Sequence, residues 1–357
     1  MINDILFLYL ILKINELFHI KSQDKISGFK LQINYMKKFP KIVFIGSNHF
    51  SLYTLKELHI KQYNIIGIIT SPDNSFLKKK GKKAFTPVKI YALENNIPFL
   101  QPKNLLDYSF LETIRLWNAD IQIVVSFRML PKEVWNFPKM GSVNLHASLL
   151  PQYRGAAPIH WAIINGENKT GLTTFFIKDK IDSGEIILQE KIKIRKEETS
   201  GELEKRLKIM STPILIKTLE NIINHKIKPI SQNRIHSSLL KYAPKISTQD
   251  CRIQWENPSI ESIYNKIRGL SPYPTAWTFL FFNKNKFVRF KIFIVKKIKK
   301  THMFSPGLIF IVSSCEMNIS VKEGFISIIE GQIEGKKKMH IKNLINGLKI
   351  RENLFVR

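Results

Sequence analysis

Two side chains in the stretch VNLHASLLPQYRGAAP (residues 143–158) are of types that do chemistry, Asn144 and His146. They stand two residues apart in an apolar run that reads as a strand, so they project from the same face. An amide beside an imidazole suits acyl transfer: the amide donates to an oxygen that gains charge, and the imidazole carries protons. Such a pair needs a third group to orient the imidazole or relieve it of a proton. Asp182, in the segment IDSG (residues 181–184) between two strand-like runs, is the candidate, with Asp179 nearby. No serine or cysteine occupies a nucleophile elbow, and Ser148 falls in a loop-forming run. If the chemistry is acyl transfer, the attacking group is expected to belong to the substrate. An Asn-x-His pair can also be structural, so its surroundings must decide.

Those surroundings read as an α/β sheet. KIVFIG (41–46) is a β-branched run ending in glycine, and SLYTLKEL (51–58) follows with helical periodicity. Further strands are expected at NIIGIIT (64–70), ADIQIVVS (119–126), GSVNLHA (141–147) and TGLTTFFI (170–177). TPVKIYALENNI (86–97) is helical, with proline in its first turn. Strands alternating with helices imply a mostly parallel sheet with helices on both faces. The opening is Rossmann-like, but GxGxxG is absent, so no dinucleotide is implied. Asn144 and His146 then lie at the carboxyl end of a strand, where open α/β sheets bind ligands. Residues 201–223 form a long amphipathic helix with Ser200 as the expected cap. Pro158 starts another helix, and Gly155, Ala156 and Ala157 let the chain pass close to other backbone. Arg154 is expected to pair internally with an acid, or to bind a phosphate or carboxylate.

The expected organisation is a catalytic domain at 37–228, a linker at 229–241 and a second domain at 242–357. The second domain holds one helix (258–269) and then strands at 276–282, 287–295, 307–312 and 325–333, the pattern of a small β-barrel. Residues 1–35 include the apolar run ILFLYLILKI (5–14), too short to span a bilayer and preceded by Asp4 rather than positive charge. Met36 opens an ordinary start, so 1–35 is expected to be a non-native or dispensable extension.

The chain has 357 residues and a formal net charge of +28, which suits a polyanionic partner. Lysine greatly outnumbers arginine, so coding-DNA base composition is an equal alternative. The two cysteines, Cys251 and Cys315, show no metal-ligand spacing, which argues against zinc and fits a reducing cytoplasm.

At this point the residues carry a family likeness. VNLHASLLPQYRGAAPIHWAI and the downstream IDSG resemble the signature of the folate-dependent formyltransferases, most closely those acting on methionyl-tRNA. KIVFIGSNHFSLYTLKEL resembles the family's first strand and helix, and residues 71–105 its basic loop and following helix. YAPKISTQDCRIQW, SPYPTAW and EGKKKMHIKNLINGL resemble parts of its carboxyl-terminal domain, so the likeness spans about residues 37–357. It implies a Rossmann-like formyltransferase domain followed by an OB-like barrel. The implied reaction passes a formyl group from 10-formyltetrahydrofolate to the amino group of methionyl initiator tRNA, supporting translation initiation. It also implies a cytoplasmic monomer needing no metal and no membrane.

By resemblance, Asn144, His146 and Asp182 are the catalytic trio. Ser148, Leu149, Leu150 and Pro151 form the tetrahydrofolate-binding segment, and the loop SFRMLP (126–131) lines the pterin pocket. Lys78, Lys79, Lys80, Lys82 and Lys83 meet the tRNA acceptor stem. Two departures stand out. Lys80 precedes Gly81 where the family usually has arginine, replacing a planar fork by a point charge. SNHF (47–50) replaces the more common Thr-Pro-acid-Phe, which bears on the site rim.

Overall fold

The computed structural model describes residues 40–73, 85–232, 237–283, 285–347 and 354–357. The expectations placed on residues 1–35 and on Lys78, Lys79, Lys80, Lys82 and Lys83 lie outside the described residues.

The first sheet has seven strands: β1 (Ile42–Gly46), β2 (Ile65–Ile69), β3 (Phe99–Leu100), β4 (Ile121–Val125), β5 (Ser142–His146), β6 (Lys169–Phe176) and β7 (Ile186–Lys193). Their spatial order is β3-β2-β1-β4-β5-β6-β7. Strands β1 to β5 pair parallel, and β6 pairs antiparallel with both β5 and β7. Every residue of β1 and β4 is buried, as helices on both faces require.

Among the described residues six helices belong to this half: α1 (His49–Ile60), α2 (Pro87–Glu94), α3 (Tyr108–Trp117), α4 (Lys132–Trp135), α5 (Pro158–Ile164) and α6 (Ser200–Ile223). One face of the sheet packs Leu55 and Leu58 of α1 with Leu203, Leu207, Leu215 and Leu219 of α6. The other packs Phe110 and Ile114 of α3 with Val134 of α4. The cap of α6 is Thr199, not Ser200. Thr199 accepts from Glu202 N while Glu202 accepts from Thr199 N, a reciprocal capping box. The Ser200 hydroxyl is buried and donates to the Ser271 carbonyl at 2.8 Å instead.

The segment expected to be a linker is bonded to the first sheet. Ile230 pairs with Ile186 of β7, and Gln232 is buried. The chain then runs beside the turn after β5: Arg154 bridges Tyr242, and Tyr153 N donates to the Lys241 carbonyl at 2.5 Å.

The second half holds α7 (Ile260–Gly269), β8 (Ala276–Asn283), β9 (Lys286–Lys299), β10 (Ile309–Ser313), β11 (Glu316–Val321), β12 (Gly324–Ile333), β13 (Met339–His340), α8 (Ile341–Gly347) and β14 (Phe355–Val356). The antiparallel order is β10-β11-β12-β9-β8-β14, with β13 on β12. A bridge between Leu308 and Phe355 brings the ends of the sheet together, so it curls into a barrel around Leu280, Phe290, Ile292, Ile319 and Ile328. This half docks on the first through Arg268 Nη1, which donates to the Glu198 carbonyl at 3.0 Å, and Gly201 N, which donates to the Ser271 carbonyl at 3.0 Å. Among the described residues no helix is long and apolar enough to cross a membrane.

Candidate active site

Strand β5 ends on the two side chains the sequence singled out. Asn144 pairs across the sheet with Val124 and Phe175, and His146 with Thr173. Both border a cavity of about 570 Å³ beyond the carboxyl ends of the parallel strands. The Asn144 amide has no hydrogen-bond partner among the described residues, so it is free to meet a ligand oxygen.

His146 is 6% exposed and held from both sides. Its Nε2 lies 2.8 Å from the main-chain oxygen of Tyr153. A carbonyl only accepts, so Nε2 carries the hydrogen, and Nδ1 is the nitrogen that faces the site. Nδ1 stands 3.7 Å from Asp182 Oδ2. That same carboxylate oxygen accepts from Gly155 N at 2.8 Å. The turn after β5 therefore holds both partners, His146 through Tyr153 and Asp182 through Gly155.

The backbone here is unusual. Tyr153, Gly155 and Asp182 have φ of 62°, 127° and 48°, and Ser126, at the end of β4, has 52°. Left-handed residues persist only where their surroundings over-determine them, and they gather at ligand sites. Gly155 is required by space as well. A β-carbon there would strike the Ala243 carbonyl, so the close approach expected of this turn is made against the chain leading to the barrel.

Tyr153 has its own support. Its hydroxyl donates to Glu167 Oε1 at 2.6 Å, and Lys241 Nζ donates to the same oxygen at 2.7 Å. Burial pushes the phenol well above its ordinary range, and the Glu167 carboxylate adds to the shift. The Arg154 guanidinium is internal, as expected, but its partner is an amide and not an acid: Gln232 Oε1 accepts from Nε at 3.1 Å and Nη2 at 2.8 Å.

The structure brings Asn144, His146 and Asp182 to one cavity, with Asp179 on the same wall. It does not bring Ser148, Leu149, Leu150 or Pro151 to that wall. Ser148 and Leu150 are buried. The polar groups of this turn are consumed internally: Ser148 Oγ donates to the Gln152 carbonyl at 2.7 Å, and Thr173 Oγ1 donates to the Ser148 carbonyl at 2.6 Å. Gln189 Nε2 donates to the Leu150 carbonyl at 2.7 Å, and the Leu150–Pro151 peptide is cis. The loop after β4 does line the cavity, through Phe127, Arg128, Met129 and Leu130.

Three contributors are not readable from the sequence. Gln232 lies in a polar stretch with no local signal. It stands behind the cavity wall, bonded to Arg154 and to the Asp182 carbonyl, whereas His160 and Glu204 border the cavity itself, from α5 and α6. Burial pushes the His160 imidazole below its ordinary value, partly offset by its bond to the Tyr273 carbonyl at 3.1 Å.

A family model described as Formyl transferase matches residues 40–219, and one described as Formyl transferase, C-terminal domain, matches residues 245–349. The methionyl-tRNA formyltransferase of Bacteroides thetaiotaomicron is 41% identical over 313 residues, covering 87% of this chain and 97% of that protein. The protein of the same name from Azobacteroides pseudotrichonymphae is 45% identical over 311 residues, covering 86% and 95%. Among solved structures, HypX from Aquifex aeolicus in complex with tetrahydrofolic acid superposes with a TM-score of 0.58 at 16% identity, covering 87% of this chain and 48% of that one. The chain thus spans about half the length of HypX. WlaRD, a sugar 3N-formyl transferase, superposes with a TM-score of 0.55 at 21% identity, covering 84% and 99%. At those identities the solved structures speak to fold alone, whereas the sequence matches run through both halves of the molecule: the chain belongs to the formyl transferase family.

Proposed function

We propose that this protein transfers the formyl group of 10-formyltetrahydrofolate to the amino group of methionyl initiator tRNA, working as a cytoplasmic monomer in translation initiation. The observation that carries the proposal is the convergence of Asn144, His146 and Asp182 on one cavity, in a chain whose curated relatives bear that activity's name.

The cavity suits the donor. Phe127, Met129 and Leu130 offer an apolar wall, and the unpartnered Asn144 offers a donor hydrogen at the point where a carbonyl would need one. The donor supplies the formyl carbon. Asn144 stabilises the formyl oxygen as the methionyl amine adds and charge builds there. His146, through Nδ1, and Asp182 take up the amine proton and return it to the departing folate nitrogen, so that a C–N bond forms, a C–N bond breaks and the proton count is conserved. A single oxyanion donor is worth roughly a hundred- to a thousandfold in rate, and a placed proton carrier roughly a hundred- to ten-thousandfold. Ser148, Leu149, Leu150 and Pro151 act one layer behind the donor, keeping the turn in place through Thr173 and Gln189. Lys78, Lys79, Lys80, Lys82, Lys83 and the basic strand β9 supply phosphate contacts for the tRNA.

The test is formylation of methionyl initiator tRNA by the purified protein with 10-formyltetrahydrofolate, with Asn144→Ala alongside. Activity that disappears in the variant is the expected result. Transfer to free amino sugars but not to the charged tRNA would overturn the substrate assignment.

A further inference from the structure

We infer that Gln232 is a positioning residue for the proton-carrying pair, an inference that deepens the reaction proposed above and rests on it. Gln232 lies in the segment that joins the two halves of the chain, far in sequence from β5 and from the Asp182 loop, and it is 4% exposed. Its amide joins two loops. Nε2 donates to the Asp182 carbonyl at 3.0 Å and to the Gly184 carbonyl at 2.6 Å. Oε1 accepts twice from the Arg154 guanidinium, at 3.1 and 2.8 Å.

Each of those partners adjoins the site. Arg154 sits between Tyr153, whose carbonyl holds His146, and Gly155, whose N–H holds the Asp182 carboxylate. Asp182 has φ of 48°, a conformation that needs outside support, and its carbonyl is one of the two groups Gln232 binds. Gly184 lies so close to the Phe176 carbonyl that a β-carbon there would overlap it, so no other residue fits the position. The 3.7 Å separation of His146 Nδ1 and Asp182 Oδ2 is therefore set by two loops that meet directly at the Gly155 N–H and are tied a second time through the Gln232 side chain. The requirement is chemically narrow. The side chain must give two hydrogens to carbonyls and accept two from a guanidinium, which a primary amide does and a carboxylate or hydrocarbon does not.

Gln232→Met keeps the length and removes all four bonds, and Gln232→Glu keeps the acceptor but removes both hydrogens. Both are compared with wild type for kcat and for KM of each substrate, with the folded fraction checked by circular dichroism and thermal melting. The expected result is a kcat lowered by roughly a hundredfold, the scale of an ångström-sized misplacement, with both KM values within about threefold. In an Asp182→Asn background, Gln232→Met should cost less than about twofold, because its effect runs through Asp182. Losses that multiply in the double variant, or a loss confined to KM or to folded fraction, would overturn the assignment; Gln232→Glu is read in the same way should Gln232→Met not fold. If the wild type formylates an amino sugar and not the tRNA, the substrate reading fails while the same comparison on the amino sugar still decides the role of Gln232. Nitrogen NMR of the imidazole gives a readout without turnover. The His146 Nδ1 resonance should move in Gln232→Glu, and an unmoved resonance counts against the inference.

Discussion

His146 Nε2 donates to the carbonyl oxygen of Tyr153, seven residues further along the chain, at 2.8 Å. That bond commits one nitrogen of the ring to the backbone and leaves Nδ1 for Asp182 and the cavity. The ring is buried against its own turn and does not reach the outer surface that a macromolecular substrate would cover. His146→Ala should therefore lower kcat by roughly a hundred- to ten-thousandfold and leave the equilibrium affinity for tRNA within about twofold. Single-turnover kinetics with filter binding on the same preparation checks this. A parallel fall in affinity would mean that His146 belongs to the binding surface.

Gly155 carries a second, sharper expectation. Its φ of 127° is open to glycine and strained for any other residue, and a β-carbon would collide with the Ala243 carbonyl. Gly155→Ala must either displace residue 243 or move the N–H that holds Asp182. The strained conformation alone costs about 1–3 kcal/mol. Thermal melting should report that loss, and kcat should fall further than the unfolded fraction explains. A variant with wild-type melting and turnover would show that the turn tolerates a shift we expect it to resist.

The grouping of Asn144 with His146 is legible because it follows from local geometry: residues two apart on a strand share a face, and a strand end is where an α/β sheet offers a site. The supports of that pair are not legible. Gln232 is 78 residues from Arg154 and sits in a stretch whose polarity reads as solvent exposure. The run Ser148, Leu149, Leu150, Pro151 is assigned to the donor by resemblance alone, and its polar groups find partners inside the protein: the Ser148 hydroxyl on the Gln152 carbonyl, the Ser148 carbonyl on Thr173, and the Leu150 carbonyl on Gln189. Only the register of β5 against β6 reveals the bond from Thr173. The cap of α6 is a different case, since the signal is local. Thr199 stands three residues before Glu202, the spacing of a capping box, and Ser200 does not.

That capping box sets a pH dependence. Glu202 is held below the ordinary carboxylate range, chiefly by its bond from Thr199 N, then by the Thr199 hydroxyl. A depressed value means stability that is present above the unfolded carboxylate range and lost as pH falls through the folded value. Glu202→Ala should lower the melting temperature at neutral pH, and the difference from wild type should shrink steadily as the medium is acidified through the carboxylate range. A difference independent of pH would assign the effect to helix propensity alone.

The lysines at 78–83 have a distinct signature. Binding to phosphates releases counterions, so replacing Lys78, Lys79, Lys80, Lys82 and Lys83 with neutral residues should weaken tRNA binding most at low salt. The slope of log affinity against log salt should flatten by roughly one unit for each phosphate that is no longer neutralised. On the role proposed for these residues, holding the tRNA, the kcat at saturating tRNA should stay near wild type. An unchanged salt slope would return the excess of lysine to base composition.

A buried carboxylate stands beside the junction between the two halves. The Glu198 side chain is 1% exposed and takes two bonds from Arg206 Nη1, both at 2.8 Å, and one from Arg195 N at 2.9 Å. Its main-chain carbonyl holds Arg268 of α7. Removing one partner of a buried pair leaves a charge without compensation, so Arg206→Met should cost roughly 3 kcal/mol, the low end for such pairs because the guanidinium is partly open to water. Replacing both, with Glu198→Leu added, should recover part of that loss, since no buried charge then remains. Denaturant midpoints of the single and double variants decide it. A double variant whose loss equals the sum of the two singles would mean that the pair contributes through packing and not through charge.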